Sequence, residues 1–299
     1  MQQFIFTLIF FVLSAPAMAW NAAGHRLTAF IAWQQLSPNT REVIRQTLVR
    51  HPDYEHWVER AHTDSGVAIF AEASTWPDDI RNDPRFYDED KEAPTPSQSG
   101  LPDTARHKRW HYVDLNSRGK VEAGELDQQI ERLSHLLRST EKKAEISNAL
   151  PWLEHLVADI HQPLHVGRHG DEGGNKIEIE NPFNKRLPVS NLHTYWDDLP
   201  GPPWLRGKRL EKIADQLMAN YPAPVQGNVT LWRDESHRLL NQAYPDSNGS
   251  LLPAITESFQ QRARDISNRR IVDAGYRLGR LLESIFSQRV SRETPKIDP

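Results

Sequence analysis

Residues 146–165 read ISNALPWLEHLVADIHQPLH. Ile146 to Ile160 carries its apolar residues at helical spacing, and Pro163 is expected to bend or end that helix. His155 and Asp159 are four residues apart, so a helix sets an imidazole and a carboxylate on one face, one turn from each other. His165 follows just past the proline break. The same spacing recurs at His193 and Asp197 within NLHTYWD, residues 191–197. One such pair is an ordinary helix-surface contact. Two pairs with His165 between them point to clustered metal sites.

The composition narrows the chemistry. The 299 residues include no cysteine, which excludes thiolate metal sites, cysteine nucleophiles and disulfides. Imidazole and carboxylate donors without thiolates suit zinc used catalytically. The formal net charge is −4, so no broadly basic surface advertises nucleic-acid binding. Bound divalent cations would supply positive charge locally.

Outward from that stretch, the chain reads as mainly α. Trp20 to Leu36 places Leu27, Phe30, Ile31 and Trp33 at helical spacing. Ser37-Pro38 starts a second helix, with proline at its first position. Residues 82–108 are polar and proline-rich, as a surface loop is. Residues 127–137 read as another helix. Lys176 to Glu180 alternates, Asn181 to Lys185 suits a turn, and Arg186 to Val189 would return as a second strand. Leu251 to Phe286 supplies one or two further helices, with Ala274, Leu278, Leu281 and Ile285 on one face. His51, His56, His62, His107, His135, His169 and His237 match no motif and are read as surface or loop residues.

The expected organisation is a signal peptide over residues 1–19, one domain over 20–288, and a polar, frayed tail over 289–299. The apolar run Phe4 to Leu13 is too short to span a bilayer, and Ala17-Met18-Ala19 is a cleavage signal. The alternative is an uncleaved membrane anchor. Cleavage would leave Trp20 with a free α-amine of pKa about 8, able to ligate zinc together with its carbonyl oxygen. His25 lies about one turn further on. Asp78, in Ser74-Thr75-Trp76-Pro77-Asp78, and His111, in Trp110-His111-Tyr112-Val113-Asp114, offer further donors. Ordinary packing by Trp76 and Trp110 explains those two segments as well.

Taken together, the motifs resemble the zinc-dependent S-one/P-one nuclease family, the fungal and plant single-strand nucleases and their bacterial relatives. The resemblance runs from Trp20-Asn21-Ala22-Ala23-Gly24-His25 through Asp159-Ile160-His161-Gln162-Pro163-Leu164-His165 to Asp197, with a looser echo at Ala274 to Leu278. It implies a single helical domain of the architecture shared by phospholipase C and these nucleases, with one short β-hairpin. It also implies three Zn2+. The first would take Asp78, His111, His155 and Asp159. The second would take His165, His193 and Asp197. The third would take the Trp20 amine and carbonyl, His25 and a bridging Asp159. His161 is not a ligand in this scheme.

The resemblance assigns catalytic roles to Asp78, Arg81 and Asn175, with Arg81 and Asn175 touching the phosphate. Tyr112 would stack on a nucleobase and Asp114 would hydrogen-bond its edge; the family usually has phenylalanine at the stacking position. The implied activity is hydrolysis of single-stranded DNA and RNA to 5′-phosphates, with 3′-nucleotidase activity, by a secreted or periplasmic monomer without stable membrane association. Two rivals stand beside it. A zinc phospholipase C shares the architecture, but its first ligands are more widely spaced than Trp20 and His25, and its set ends in Glu rather than an Asp such as Asp197. A non-catalytic envelope zinc-binding protein would have no use for Arg81, Asn175 or a stacking aromatic.

Overall fold

The structure, a computed structural model, describes residues 20–247 and 249–293. The expected signal peptide and the end of the expected tail lie outside these residues. Twelve α-helices appear among them: α1 (Ala22–Gln34), α2 (Pro38–Leu48), α3 (Tyr54–Ala61), α4 (Gly66–Ala73), α5 (Trp76–Asp79), α6 (Leu126–Ser139), α7 (Lys143–Asp159), α8 (Leu192–Asp197), α9 (Gly207–Asn220), α10 (Val229–Arg238), α11 (Leu240–Ala243) and α12 (Glu257–Glu293).

Helix starts follow local chemistry. The Asn21 side chain accepts from the Ala23 amide ahead of α1, and Ser37 accepts from the Thr40 amide ahead of α2, with Pro38 in the first turn. Asn191 caps α8 and Asn228 caps α10 in the same way.

Helix α7 is buried on every side from Ile146 to Asp159, its polar Ser147, Asn148, Glu154, His155 and Asp159 included. It ends at Asp159, before Pro163. That proline instead opens a 3-10 turn over Pro163–Val166, whose first amide donates to the Gln162 side chain. Proline fits there because the first positions of a helix have no intrahelical acceptor to lose.

The apolar interior forms two clusters. One gathers Trp57, Phe70, Trp76, Trp152 and Leu282 around α7. The other gathers Trp20, Leu27, Trp196, Leu210 and Val272. Helix α1 feeds both and packs along α12, where Gly275 lets the two backbones close up: a Cβ there would lie 2.5 Å from the Ile31 Cβ.

Two small antiparallel hairpins complete the fold, one more than expected. The unexpected one pairs β1 (Val113–Leu115) with β2 (Val121–Gly124), Val113 opposite Gly124. The expected one pairs β3 (Glu178–Glu180) with β4 (Val189–Asn191), Glu178 opposite Asn191. Its return strand therefore begins where Arg186–Val189 was expected to end. The intervening loop is longer because Asn181 and Asn184 cap turns through their side chains, at Phe183 and at Arg186 and Leu187.

The C-terminal segment is one helix, α12, which runs to Glu293. Arg289, near its end, donates to the carbonyls of Leu137 and Thr140. His51 lies in the loop between α2 and α3 but not at the surface: it is buried, stacked on Trp57 with ring centroids 4.6 Å apart, and its Nδ1 accepts from the Asp53 amide.

Candidate metal centre

Eight of the predicted donors converge in the interior: His25, Asp78, His111, His155, Asp159, His165, His193 and Asp197. Helix α1 brings His25, α5 brings Asp78, and the 3-10 turn before β1 brings His111. Helix α7 supplies His155 and Asp159, the Pro163 turn supplies His165, and α8 supplies His193 and Asp197.

The donors form three groups, two of which share His155. His155 Nε2 is the hub of two of them. It lies 3.1 Å from His111 Nδ1, 3.3 Å from Asp159 Oδ2 and 3.7 Å from Asp78 Oδ1. His111 Nδ1 is 3.1 Å from Asp159 Oδ2. His25 Nε2 is 3.4 Å from the other oxygen of Asp159 and 4.0 Å from Asp78 Oδ2. The third group stands apart, with His193 Nε2 3.6 Å from Asp197 Oδ2 and the His165 ring 4.9 Å from that of His193.

Hydrogen bonds outside the groups set which nitrogen faces inward. His155 Nδ1 donates to the Ser74 carbonyl at 2.9 Å and His193 Nδ1 to the Gly173 carbonyl at 2.7 Å. His165 Nδ1 donates to the His111 carbonyl. A carbonyl can only accept, so each Nδ1 carries the proton and each Nε2 turns a lone pair into the pocket. Metal-ligating histidines are oriented in this way. Gln162 adds a link that the sequence reading missed: its side-chain amide donates to Asp197 Oδ1 at 3.0 Å while its oxygen caps the Pro163 turn.

The donor set fits divalent metal better than it fits an empty protein interior. Both nitrogens of His25, His111 Nε2, His165 Nε2 and Asp159 Oδ1 are buried without a hydrogen-bond partner. Orphan buried polar atoms are costly. Burial pushes the Asp159 carboxyl up to about 6 and the Asp197 carboxyl well above the usual range. Burial, with neighbouring histidines, also drives His25 and His111 well below an ordinary imidazole. Cations among these groups would reverse the shift of the carboxylates and keep the imidazoles neutral.

Trp20 is fully buried, and its neighbour Asn21 donates its backbone N–H to the Asp197 carbonyl at 3.1 Å. The start of the described chain is thereby tied to the helix bearing His193 and Asp197. Arg81 Nη2 pairs with Asp78 Oδ1 at 2.8 Å. Asn175 donates its side-chain amide to the Glu172 carbonyl at 2.7 Å, next to the glycine pair that holds His193. Tyr112 is half-buried beside β1, and its carbonyl accepts from the Glu125 and Leu126 amides. Asp114 is buried with its carboxyl pushed up to about 6 by desolvation, and His169 Nδ1 lies 3.6 Å away. His161 turns away from the donors. Its Nδ1 donates to the Val157 carbonyl, and its Nε2 accepts from Arg277 at 3.0 Å.

A helical body whose buried heart is a cysteine-free assembly of imidazoles and carboxylates defines a class of candidate polynuclear metalloprotein. Residues 20–287 match the family described as S1/P1 Nuclease, and the chain belongs to that family. It is 26% identical to Endonuclease 4 of Arabidopsis thaliana, with 96% of each chain covered. It is 23% identical to Nuclease P1 of Penicillium citrinum, over 91% of this chain and all of that one. Nuclease S1 of Aspergillus oryzae is 23% identical over 62% of this chain and 55% of its own.

Proposed function

We propose that this chain is a zinc-dependent phosphodiesterase that hydrolyses single-stranded DNA and RNA to 5′-phosphate products and also removes 3′-phosphates from nucleotides. We further propose that residues 1–19 are removed, that residues 20–288 form the catalytic domain, and that the enzyme acts outside the cytoplasm as a monomer. No helix among the described residues is long and apolar enough to cross a membrane. The observation that carries the reading is the convergence of eight His and Asp donors, seven of them buried and Asp78 partly so, in a member of a nuclease family.

Three Zn2+ are the proposed complement. Asp78, His111, His155 and Asp159 would hold the first, and His165, His193 and Asp197 the second. The Trp20 amine and carbonyl, His25 and Asp159 would hold the third. Bound there, the ions would supply activation of water near neutral pH and Lewis-acid stabilisation of the phosphorane-like transition state and the leaving 3′ oxygen.

The chain's own residues do the rest. Arg81 neutralises charge on the phosphate oxygens, and its pairing with Asp78 fixes the guanidinium beside the donors. Asn175 donates to the same phosphate. Tyr112 stacks on the base, a contact worth about 1–3 kcal/mol that tolerates many bases. Asp114 accepts from the base edge. A site that grips one base and one phosphate needs an unstacked nucleotide, which selects single strands.

The test incubates the pure chain beginning at Trp20 with single-stranded DNA, RNA, 3′-AMP and phosphatidylcholine, with and without chelator, beside elemental analysis for zinc. Chelator-sensitive turnover of the nucleic acids and 3′-AMP, with three zinc per chain, is expected. Turnover of lipid alone would assign a phospholipase C. Zinc without turnover would assign a storage role.

A further inference from the structure

Beyond the base site lies a groove of about 740 Å³ that the proposed reaction does not use. That volume falls within the usual range for small-molecule sites and accommodates a nucleotide. Its walls come from β1 at Leu115, from the segment at Arg168 and His169, and from the end of α10 at His237 and Arg238. Two guanidiniums and two imidazoles face it against one carboxylate, Glu122. This is a local excess of positive charge in a chain whose formal net charge is −4.

The cations are held ready without being neutralised. The Arg168 guanidinium lies over the Tyr244 ring, 4.8 Å from its centroid, and its Nη2 donates to Asn241 Oδ1 at 3.3 Å. Tyr244 is itself fixed by donating to Asp171 Oδ2 at 2.8 Å. Arg238 is exposed and has no hydrogen-bond or ion-pair partner among the described residues. Planar guanidiniums of this kind suit phosphate oxygens.

The groove adjoins the proposed base site through Leu115 and His169. Leu115 directly follows Asp114, and its amide donates to the Gly167 carbonyl at 3.2 Å. That bond joins the strand leaving His111 to the segment leaving His165. His169, on the groove wall, is the residue that faces Asp114. A polymer whose base rests on Tyr112 and Asp114 must continue past them, and this groove is where the wall carries positive charge.

We propose that the groove is the subsite for the neighbouring nucleotide of a bound single strand, with Arg168 and Arg238 gripping its phosphate. The inference rests on the nuclease reading for its substrate. It predicts that the enzyme handles oligonucleotides and mononucleotides through different sets of residues.

The test compares the full protein with the double variant Arg168→Ala/Arg238→Ala and its charge-keeping counterpart Arg168→Lys/Arg238→Lys. Cleavage is read as kcat/KM on a twelve-residue oligothymidylate and on 3′-AMP. Binding of a labelled phosphorothioate analogue of the same oligonucleotide, chosen to resist turnover, is read by fluorescence anisotropy with the bound metal left in place. The alanine pair is expected to lose about tenfold or more in oligonucleotide binding and kcat/KM. Its slope of log affinity against log salt should fall by about 0.7, the share of one neutralised phosphate on a single strand. Activity on 3′-AMP should stay within about twofold, because that substrate ends before the groove, and the lysine pair should keep most of the affinity. Unchanged oligonucleotide binding and turnover in the alanine pair would overturn the subsite. An equal loss on 3′-AMP would overturn it too. A wild-type chain that cleaves nothing yet binds the oligonucleotide through these arginines would refute the nuclease reading and leave the groove standing. A wild-type chain that neither cleaves nor binds would refute both.

Discussion

His25 lies flat against His155, with ring centroids 3.8 Å apart and planes 7° from parallel. One ring comes from the first helix and the other from the central one, and each also approaches Asp78 and Asp159. The two groups of donors are therefore one assembly, and a change in either carboxylate is felt by both histidines.

Asp159 has one oxygen toward His25 and the other toward His111 and His155. Asp159→Asn should lower the metal content by more than one ion per chain. Its activity should fall more than the 10- to 100-fold typical of losing an outer partner of a ligand. Elemental analysis beside a single-strand digestion assay checks both. A variant that keeps its full metal complement would contradict the bridging role.

Gln162 should behave differently, because it reaches the centre only through Asp197. Gln162→Ala is expected to weaken the His165, His193 and Asp197 group by about 10- to 100-fold in metal affinity while sparing the other donors. Competition with a chromogenic chelator would show one ion leaving early and the rest unchanged.

Gly173 has φ +59, and a Cβ there would press into the Leu164 carbonyl. Gly173→Ala should strain the turn that offers its carbonyl to His193 Nδ1 and release metal from the same group as Gln162→Ala. Metal retention after dialysis, compared between the two variants, tests whether they act on one ion.

Retaining residues before Trp20 replaces the proposed amine ligand with an amide. A chain with the preceding residues uncleaved should bind two zinc in place of three and lose most of its activity. Equal metal content and equal turnover from precursor and mature chains would refute the terminal ligand.

Glu72 sits between three arginines, with Arg26 at 3.0 Å, Arg60 at 2.9 Å and Arg206 at 2.6 Å. Burial alone would raise its carboxyl, but the guanidiniums outweigh burial and hold it below the ordinary value of 4.5. A depressed folded pKa stabilises the fold above the unfolded pKa, and that contribution is lost as pH falls through the folded one. Glu72→Gln should cost about 3–5 kcal/mol at pH 7, because Arg26 is left buried and unpaired. The gap to wild type should shrink below pH 4.5. Urea melts at several pH values measure it.

The donors that helices spell out were legible before folding. His155 with Asp159, and His193 with Asp197, stand one turn apart in any helix, and the structure builds both helices. The β1–β2 hairpin was hidden because all three β1 residues, Val113, Asp114 and Leu115, are buried, which leaves no alternation to read. Gln162 and Glu72 were hidden for another reason. Their partners lie 12 to 134 positions away, and no local period records such a meeting. His51 matched no motif because its role is to stack between Trp57 and Trp76.

The close packing of α1 on α12 at Gly275 has a consequence for synthesis. Among the described residues the first helix finds its cover in the last, so that flank of α1 stays bare until α12 has emerged. Contacts so distant in the chain slow folding and lengthen exposure to aggregation. A product released early, before residue 275, should not be a weaker enzyme but an insoluble or degraded fragment, even though every proposed zinc ligand has already been translated.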